Sequence, residues 1–294
     1  MKYPNFFIIG AAKSGTSSLW QYLKQHPKIF MPENELYKEP GFFSNIRTKK
    51  KNIDKYLKIF KDAKKQHILI GEASTAYLTD PSSAKNIYNF NQQAKIIIIL
   101  RNPMERAYSL YRWMAQEGYE YAPTFETALD LEKNRINKTI PNFFEPEYYY
   151  NYLYFNSGLY YQQVKQYLDL FEHRNVHIIK FDDFKNDFEK TYIDLCSFLE
   201  IKKNAVSPKI FNKSKSIFSP TAQFILRKIN NFLNKHFKKK SQTKESRDKL
   251  MKLGIINKKH LKISEQTKQL LTNKYKQDIK NLSKLTKINL NNWL

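Results

Sequence analysis

Apolar runs alternate with amphipathic stretches over the first 200 residues. NFFIIG (5–10) predicts a buried strand. GTSSLWQYLKQHP (15–27) predicts a helix that starts inside a loop, with Leu19, Tyr22 and Leu23 on its inner face and Pro27 closing it. A second strand is expected at ILIGE, Ile68 to Glu72. Asp80 and Pro81 then read as the N-cap and first-turn proline of a helix through Tyr88. The run KIIIIL, Lys95 to Leu100, carries four consecutive β-branched isoleucines, which suits a central parallel strand covered on both faces. Pro103 starts a helix that runs through Gln116. An amphipathic helix at SGLYYQQVKQYLDLF, a strand at VHIIKF and a helix from about Asn186 to Leu199 continue the rhythm. Strands alternating with helices predict an α/β fold: three α/β/α layers around a central, mainly parallel sheet.

The aromatic-rich segment 124–154 breaks that rhythm and reads as an insertion capping one end of the sheet. Residues 204–220 are polar with two prolines and read as a long surface loop, followed by weakly patterned helices. The expected organisation is one domain over 1–294, with the insertion at 124–154 and a basic helical part from about 202. Composition supplies the core, since 41% of the 294 residues are hydrophobic and 41 of them are Tyr or Phe. The single cysteine, Cys196, excludes an intrachain disulfide and lies in an apolar pattern, so it reads as a buried hydrophobe. A reducing, cytoplasmic setting follows as an expectation. No apolar run approaches 18 residues, and MKYPNFFIIG is too short for a signal peptide, so a soluble chain is expected.

Charge changes the picture more. The net charge is +24, and 24 basic against 4 acidic residues between Lys202 and Leu294 put +20 of it in that part. Such asymmetry suits an anionic partner: nucleic acid, a membrane surface or an acidic polymer. A genome rich in Lys, Asn and Ile codons would produce it too.

The chemistry begins at GAAKSGTSSL, Gly10 to Leu19. An apolar strand, a glycine-bounded loop and a helix start make an anion site, because loop and first-turn N–H groups point at the ligand. Gly10 and Gly15 permit tight turns, and Ser14, Thr16, Ser17 and Ser18 add hydroxyl donors. This is a P-loop-like phosphate-binding loop with one departure. In nucleoside triphosphatases the lysine follows the second glycine; here Thr16 takes that slot and the lysine is Lys13. The strand IIIIL ends in Arg101 where a magnesium-binding carboxylate would be wanted. A cation there argues for a second phosphate in place of a metal. Arg101 and Ser109, eight residues on, would share that phosphate.

These stretches resemble the sulfotransferases that use 3′-phosphoadenosine-5′-phosphosulfate (PAPS). FIIGAAKSGTSSL is similar to their 5′-phosphosulfate loop, and IIIILRNPMERAYSLYRW to their 3′-phosphate motif. KEPGFF (38–43) and GEASTAYL (71–78) also match, and KEPGFF leans towards the branch of heparan sulfate N- and 3-O-sulfotransferases and their bacterial relatives. The likeness covers nearly the whole chain, most weakly at 124–150 and 221–262. It implies that Lys13 stabilises charge on the bridging oxygen, that Gly15, Thr16, Ser17 and Ser18 hold the 5′-phosphate, and that Arg101 and Ser109 hold the 3′-phosphate. It implies Glu39 as general base on the acceptor and Lys38 as a second candidate for the sulfuryl oxygens. On residues alone, Lys38 and Glu39 also read as a solvated pair before a proline turn.

Two departures stand out. The branch often has a lysine in an E-K-[ST]-P element, whereas this chain reads Glu72, Ala73, Ser74, Thr75. The third nucleotide loop often has a Lys-Gly pair, and the nearest match, NKSKSIFSP, offers Lys213 and Lys215 with no glycine. Among the histidines, His26 reads as a capping or packing residue, and His67, His173 and His177 look bland.

The expected function is transfer of a sulfuryl group from PAPS, without metal, leaving adenosine 3′,5′-bisphosphate. The expected acceptor is a hydroxyl or amine of a glycan or glycolipid, with a small natural product as the alternative. No specific nucleic-acid partner is expected, and the basic tail is open to peripheral membrane contact. A nucleotide kinase or NTPase, and a nucleic-acid-binding protein driven by the basic tail, are the readings from other classes.

Overall fold

A computed structural model describes residues 3–32, 38–48, 51–136, 146–206, 219–237 and 263–294. The chain forms two compact units, interleaved in sequence: Met1–Arg106 with Leu159–Phe211 and Tyr275–Leu294, and Ala107–Gly158 with Asn212–Lys274.

The first unit holds the sheet. Its strands are β1 (Phe6–Gly10), β2 (Ile29–Phe30), β3 (Leu69–Glu72), β4 (Lys95–Leu100) and β5 (Val176–Lys180). They lie in the order β2-β3-β1-β4-β5 and every pairing is parallel. Register places Phe7 opposite Glu72, Ile8 opposite Ile97, and Ile99 opposite Ile179. The expected parallel sheet is present. The two-residue β2 has no signal of its own in the sequence, because two residues are too few to show a period.

Alternation along the strands makes two faces. Phe6, Ile8, Ile97, Ile99 and Ile179 pack with α1 (Thr16–Leu23), α8 (Phe181–Asn186) and α9 (Phe188–Phe198), where Leu19, Trp20, Leu23, Phe184, Leu195 and Cys196 are buried. Phe7 meets Phe43 edge-on at 5.6 Å, and Leu78 of α3 (Ala76–Thr79) packs against Gly10. Beyond α3 come α4 (Ser83–Phe90) and α7 (Tyr160–Leu170), with the Tyr167 hydroxyl donating to the Tyr77 carbonyl at 2.8 Å. The short α2 (Ile53–Leu57) precedes β3 and is capped by Asn52, whose Oδ1 accepts from the Lys55 N–H.

The helix expected from about 186 to 199 is present as α9, whose start is set by the Asp187 side chain accepting from the Lys190 N–H; the separate short α8 before it carries no expectation from the sequence. One helix expectation needs correction. The helix after Asp80 begins at Ser83, since the Asp80 carboxylate is turned onto the Ser82 N–H and hydroxyl and the Ser44 hydroxyl. Asp80 therefore ties the 43–47 turn down rather than capping a helix directly.

The second unit contains most of α5 (Pro103–Gln116), α6 (Phe125–Ile136), a 3₁₀ turn at Pro146–Tyr152, α10 (Pro220–Phe237) and the start of α11 (Glu265–Thr286). A buried Arg135–Glu120 ion pair at 2.8 Å organises it. Glu120 also accepts from the Tyr154 hydroxyl and from the Tyr121 and Ala122 N–H groups, so no lone pair is left facing an apolar wall. Among the described residues no helix is long and apolar enough to cross a membrane.

Candidate functional site

In an open parallel sheet, ligands meet the carboxyl ends of the strands where the chain order reverses. Here β1 lies between β3 and β4, so its carboxyl end is flanked by theirs. Two groups of sequence candidates come from these ends: Gly10 to Ser18 after β1 and Arg101 after β4.

The loop after β1 is held in a shape that ordinary residues resist. Gly15 caps α1 at φ +91°, and a Cβ there would lie 3.1 Å from the Phe181 ring. Lys13 takes φ +68° despite its side chain, which costs roughly 1–2 kcal/mol. Strain of this kind at a loop tip marks a position fixed for use. The first turn of α1 has no side-chain cap and no acidic residue, so its N–H groups are available to an anion. Thr16 is buried, and Ser17 and Ser18 are half-buried. The Ser14 hydroxyl is buried and makes no hydrogen bond of normal geometry among the described residues, although the Tyr160 hydroxyl is close enough to interact with it. Gly15→Ala is expected to lower stability by about 1–2 kcal/mol, read in a denaturant melt; an unmoved midpoint would contradict the strained-loop account.

Arg101 joins this loop. Its Nη1 donates to the Lys13 carbonyl at 3.4 Å, and its guanidinium lies 5.0 Å from the centre of the Phe181 ring. Glu105, one turn into α5, holds it by an ion pair at 2.9 Å. The Arg101 carbonyl accepts from the Tyr160 hydroxyl at 3.0 Å. The start of α7 is in turn held by Asp278, which accepts from the Tyr161 N–H at 3.2 Å; burial pushes that carboxyl up to about 6, against the backbone bonds. Ser109 sits two turns into α5, on the part belonging to the second unit. Lys213 and Lys215 lie outside the described residues, as does the KKK run at 238–240.

The Lys38–Glu39 pair is not a solvated pair. The Lys38 ammonium donates to Ser17 Oγ at 2.7 Å and to Glu39 Oε1 at 3.0 Å, bridging the phosphate loop to the carboxylate. Glu39 Oε2 accepts from the Thr75 hydroxyl at 3.0 Å and faces Arg47 Nη1 at 3.5 Å. The side chains of Lys38, Glu39 and Arg47 are 13%, 25% and 22% exposed, enough to meet a ligand while staying fixed. Burial alone would raise the Glu39 carboxyl. The charges of Lys38 and Arg47, with hydrogen bonds from Lys38 and Thr75, outweigh it and hold Glu39 below the ordinary carboxylate range. Glu39 is thus an ionised acceptor next to the loop.

Thr75, Arg47, Tyr160 and Phe181 escaped the sequence reading as site residues. Each comes from a different element, and none carries a local pattern that points at the loop. His26 is a packing residue as expected: Nδ1 accepts from the Lys28 N–H, and Nε2 lies 2.9 Å from the Lys202 carbonyl. His67 accepts from the Lys64 N–H, and His177 stacks on Phe198. Among the described residues, no group of three or more His, Cys, Asp or Glu side chains is placed to hold a metal ion.

A glycine-bounded loop between a buried parallel strand and a helix start, with Arg101 after β4 and the Lys38–Glu39 pair beside it, defines an α/β protein with a loop suited to an anion. A family model for the sulfotransferase domain matches residues 3–285, and the chain belongs to that family. The membrane-associated sulfotransferase kil1 of Dictyostelium discoideum is 24% identical over 316 residues, covering 80% of this chain and 66% of the relative. Heparan sulfate glucosamine 3-O-sulfotransferase 5 of Mus musculus is 31% identical over 179 residues, covering 61% of this chain and 48% of the relative. The chain thus spans only part of the length of these curated relatives. Among solved structures, a sulfotransferase from Alicyclobacillus acidocaldarius superposes with a TM-score of 0.73 at 28% identity, covering 100% of this chain and 99% of that one. A mouse sulfotransferase solved with PAP shares the fold at a TM-score of 0.51 and 16% identity, covering 95% and 84%.

Proposed function

We propose that this chain is a PAPS-dependent sulfotransferase acting on a hydroxyl or amine of a glycan or glycolipid sugar. The observation that carries the reading is the Lys38 bridge from Ser17 of the phosphate loop to an ionised Glu39. It puts a phosphate-binding loop and a general base in one connected network. The uncapped α1 start, the Lys13 loop tip and Arg101 beside it suit a ligand with phosphates at two ends.

PAPS, when bound, supplies a sulfuryl group on a phosphate that departs. Gly15, Thr16, Ser17 and Ser18 hold the 5′-phosphate with N–H and hydroxyl donors. Arg101 grips the 3′-phosphate, and the resemblance gives Ser109 a share in it. Glu39 accepts the acceptor proton as the acceptor–sulfur bond forms. Lys13 balances the charge left on the departing phosphate oxygen, and Lys38 faces the sulfuryl oxygens. Lys213 and Lys215 are assigned to the third nucleotide loop by resemblance alone.

The glycan acceptor is supported by the names of the heparan sulfate relatives, with a small natural product as the other outcome of acceptor screening. One family model running across both compact units supports a single catalytic domain. The proposal also has the enzyme cytoplasmic, metal-independent and free of specific nucleic-acid partners, with the +20 surplus after residue 201 serving an anionic glycan or membrane surface.

Thermal melting tests the donor assignment. Adenosine 3′,5′-bisphosphate without magnesium, at 100 times its dissociation constant, should add about 2.7 kcal/mol. Arg101→Ala should weaken its binding by roughly 10–100-fold, the worth of a hydrogen-bonded charge. Stabilisation by ATP–Mg alone would overturn the proposal in favour of a kinase.

A further inference from the structure

Glu72 ends β3, fully buried, three residues before Thr75, which donates to Glu39. Its Oε1 accepts from the Tyr56 hydroxyl at 2.8 Å and the Tyr77 hydroxyl at 2.7 Å, and its Oε2 accepts from the Ser74 hydroxyl at 2.5 Å. When ionised, the carboxylate accepts only, and all three hydroxyls then turn their hydrogens inward and their lone pairs outward. Two of those outward lone pairs are used. Ser74 Oγ accepts from the Gly41 N–H at 2.9 Å, and the Tyr77 hydroxyl accepts from the Phe43 N–H at 3.3 Å.

Gly41 and Phe43 lie two and four residues past Glu39. The same stretch of chain adds further ties. The Ala73 N–H donates to the Lys38 carbonyl at 3.1 Å, and the Thr75 hydroxyl and N–H both donate to Glu39. Gly41 is at φ +62° with the Arg47 stem packed where a Cβ would be, so the turn has little room to shift. Residues 38–43 are thus hung from residues 73–77, and Glu72 sets the polarity of two of the hooks.

Burial pushes the Glu72 carboxyl up to about 7, and the Glu39 charge adds to that push against the three hydroxyl bonds. A group so costly to ionise is a poor choice for packing alone, where an apolar side chain of similar size would serve.

We infer that Glu72 is a positioning residue: by compelling Ser74 and Tyr77 to donate to it, it fixes the bonds that hold Gly41 and Phe43 and thereby aims Glu39 beside Lys38. This rests on the sulfotransferase reading above. The test uses the full chain, with kcat at saturating PAPS, bisphosphate affinity by calorimetry and melting temperature measured for three variants. Glu72→Gln keeps the shape but brings an amide donor against the hydroxyls. Ser74→Ala cuts the Gly41 hook, and Tyr56→Phe removes a hydroxyl that touches Glu72 but holds no residue of the turn. Glu72→Gln and Ser74→Ala should lose kcat on the order of 10²-fold, the effect of misplacing a reacting group by about 1 Å. Their bisphosphate affinity should stay near that of the wild type, and Tyr56→Phe should lose less kcat than Ser74→Ala even where it melts as early. Unchanged kcat in Ser74→Ala, or kcat and bisphosphate affinity falling together, would overturn the positioning role. A wild type that binds the bisphosphate but transfers no sulfuryl group would overturn the parent reading and this one with it.

Discussion

Lys13→Ala is expected to lower the turnover of sulfuryl transfer by roughly 10²–10³-fold, the usual cost of removing one preorganised charge-stabilising group. Bisphosphate affinity should change far less. The substitution leaves the backbone cost unchanged, because lysine and alanine both carry a Cβ at φ +68°. The loop conformation is held by backbone features the change leaves alone, including the bond from Arg101 to the residue-13 carbonyl. What disappears is the ammonium. If its work is on the oxygen that gains charge as the sulfur–oxygen bond breaks, kcat and kcat/KM fall together. A loss of bisphosphate affinity with kcat intact would instead make Lys13 a ground-state phosphate ligand. Single-turnover rates alongside calorimetry separate the two.

Glu39→Gln should cost 10²–10⁴-fold in turnover, the span of general-base contributions. Here too the structure states what else changes. Removing the carboxylate leaves Lys38 and Arg47 without their shared anion, so the site becomes more cationic and the bisphosphate should bind as well or better. The pH dependence follows from the direction of the Glu39 shift. Its folded carboxyl is held below the ordinary range, so the active, ionised form persists through the pH region where a free glutamate would protonate, about 4.3. Activity is therefore retained down to that region and lost only as pH falls through the lower folded value. Any stability from the ion pairs follows the same course: present above the unfolded value, lost below the folded one. Near-wild-type turnover in Glu39→Gln would place the base elsewhere.

Much of this site could be read in advance where chemistry and backbone punctuation coincide. Gly10, Gly15 and Pro103 mark the ends of elements, and the β-branched run 95–100 has no plausible alternative to a buried strand. Lys13 and Arg101 stood out because each sits where a familiar phosphate loop would put something else. Glu39 was visible only through the family likeness, and the features that make it ionised are tertiary. Arg47 arrives from 8 residues away and Thr75 from 36, joined by a turn no periodicity reveals. Glu72 was hidden for a related reason: at the end of an apolar strand it reads as the polar residue that closes the element, and its three hydroxyl partners come from α2, the residues after β3, and α3. The short α8 was missed because its six residues follow β5 directly and are too few to show a helical period.

The most direct test follows the sulfuryl group itself. The full chain is incubated in EDTA with ³⁵S-labelled PAPS and a panel of acceptors that includes desulfated heparan chains and sugar-bearing lipids. Label should move to a hydroxyl or amine of a glycan, with one adenosine 3′,5′-bisphosphate released per group transferred, and Lys13→Ala and Glu39→Gln should both slow it by about 10²-fold or more. Label that stays on the donor with every acceptor, together with magnesium-dependent turnover of ATP, would contradict the account.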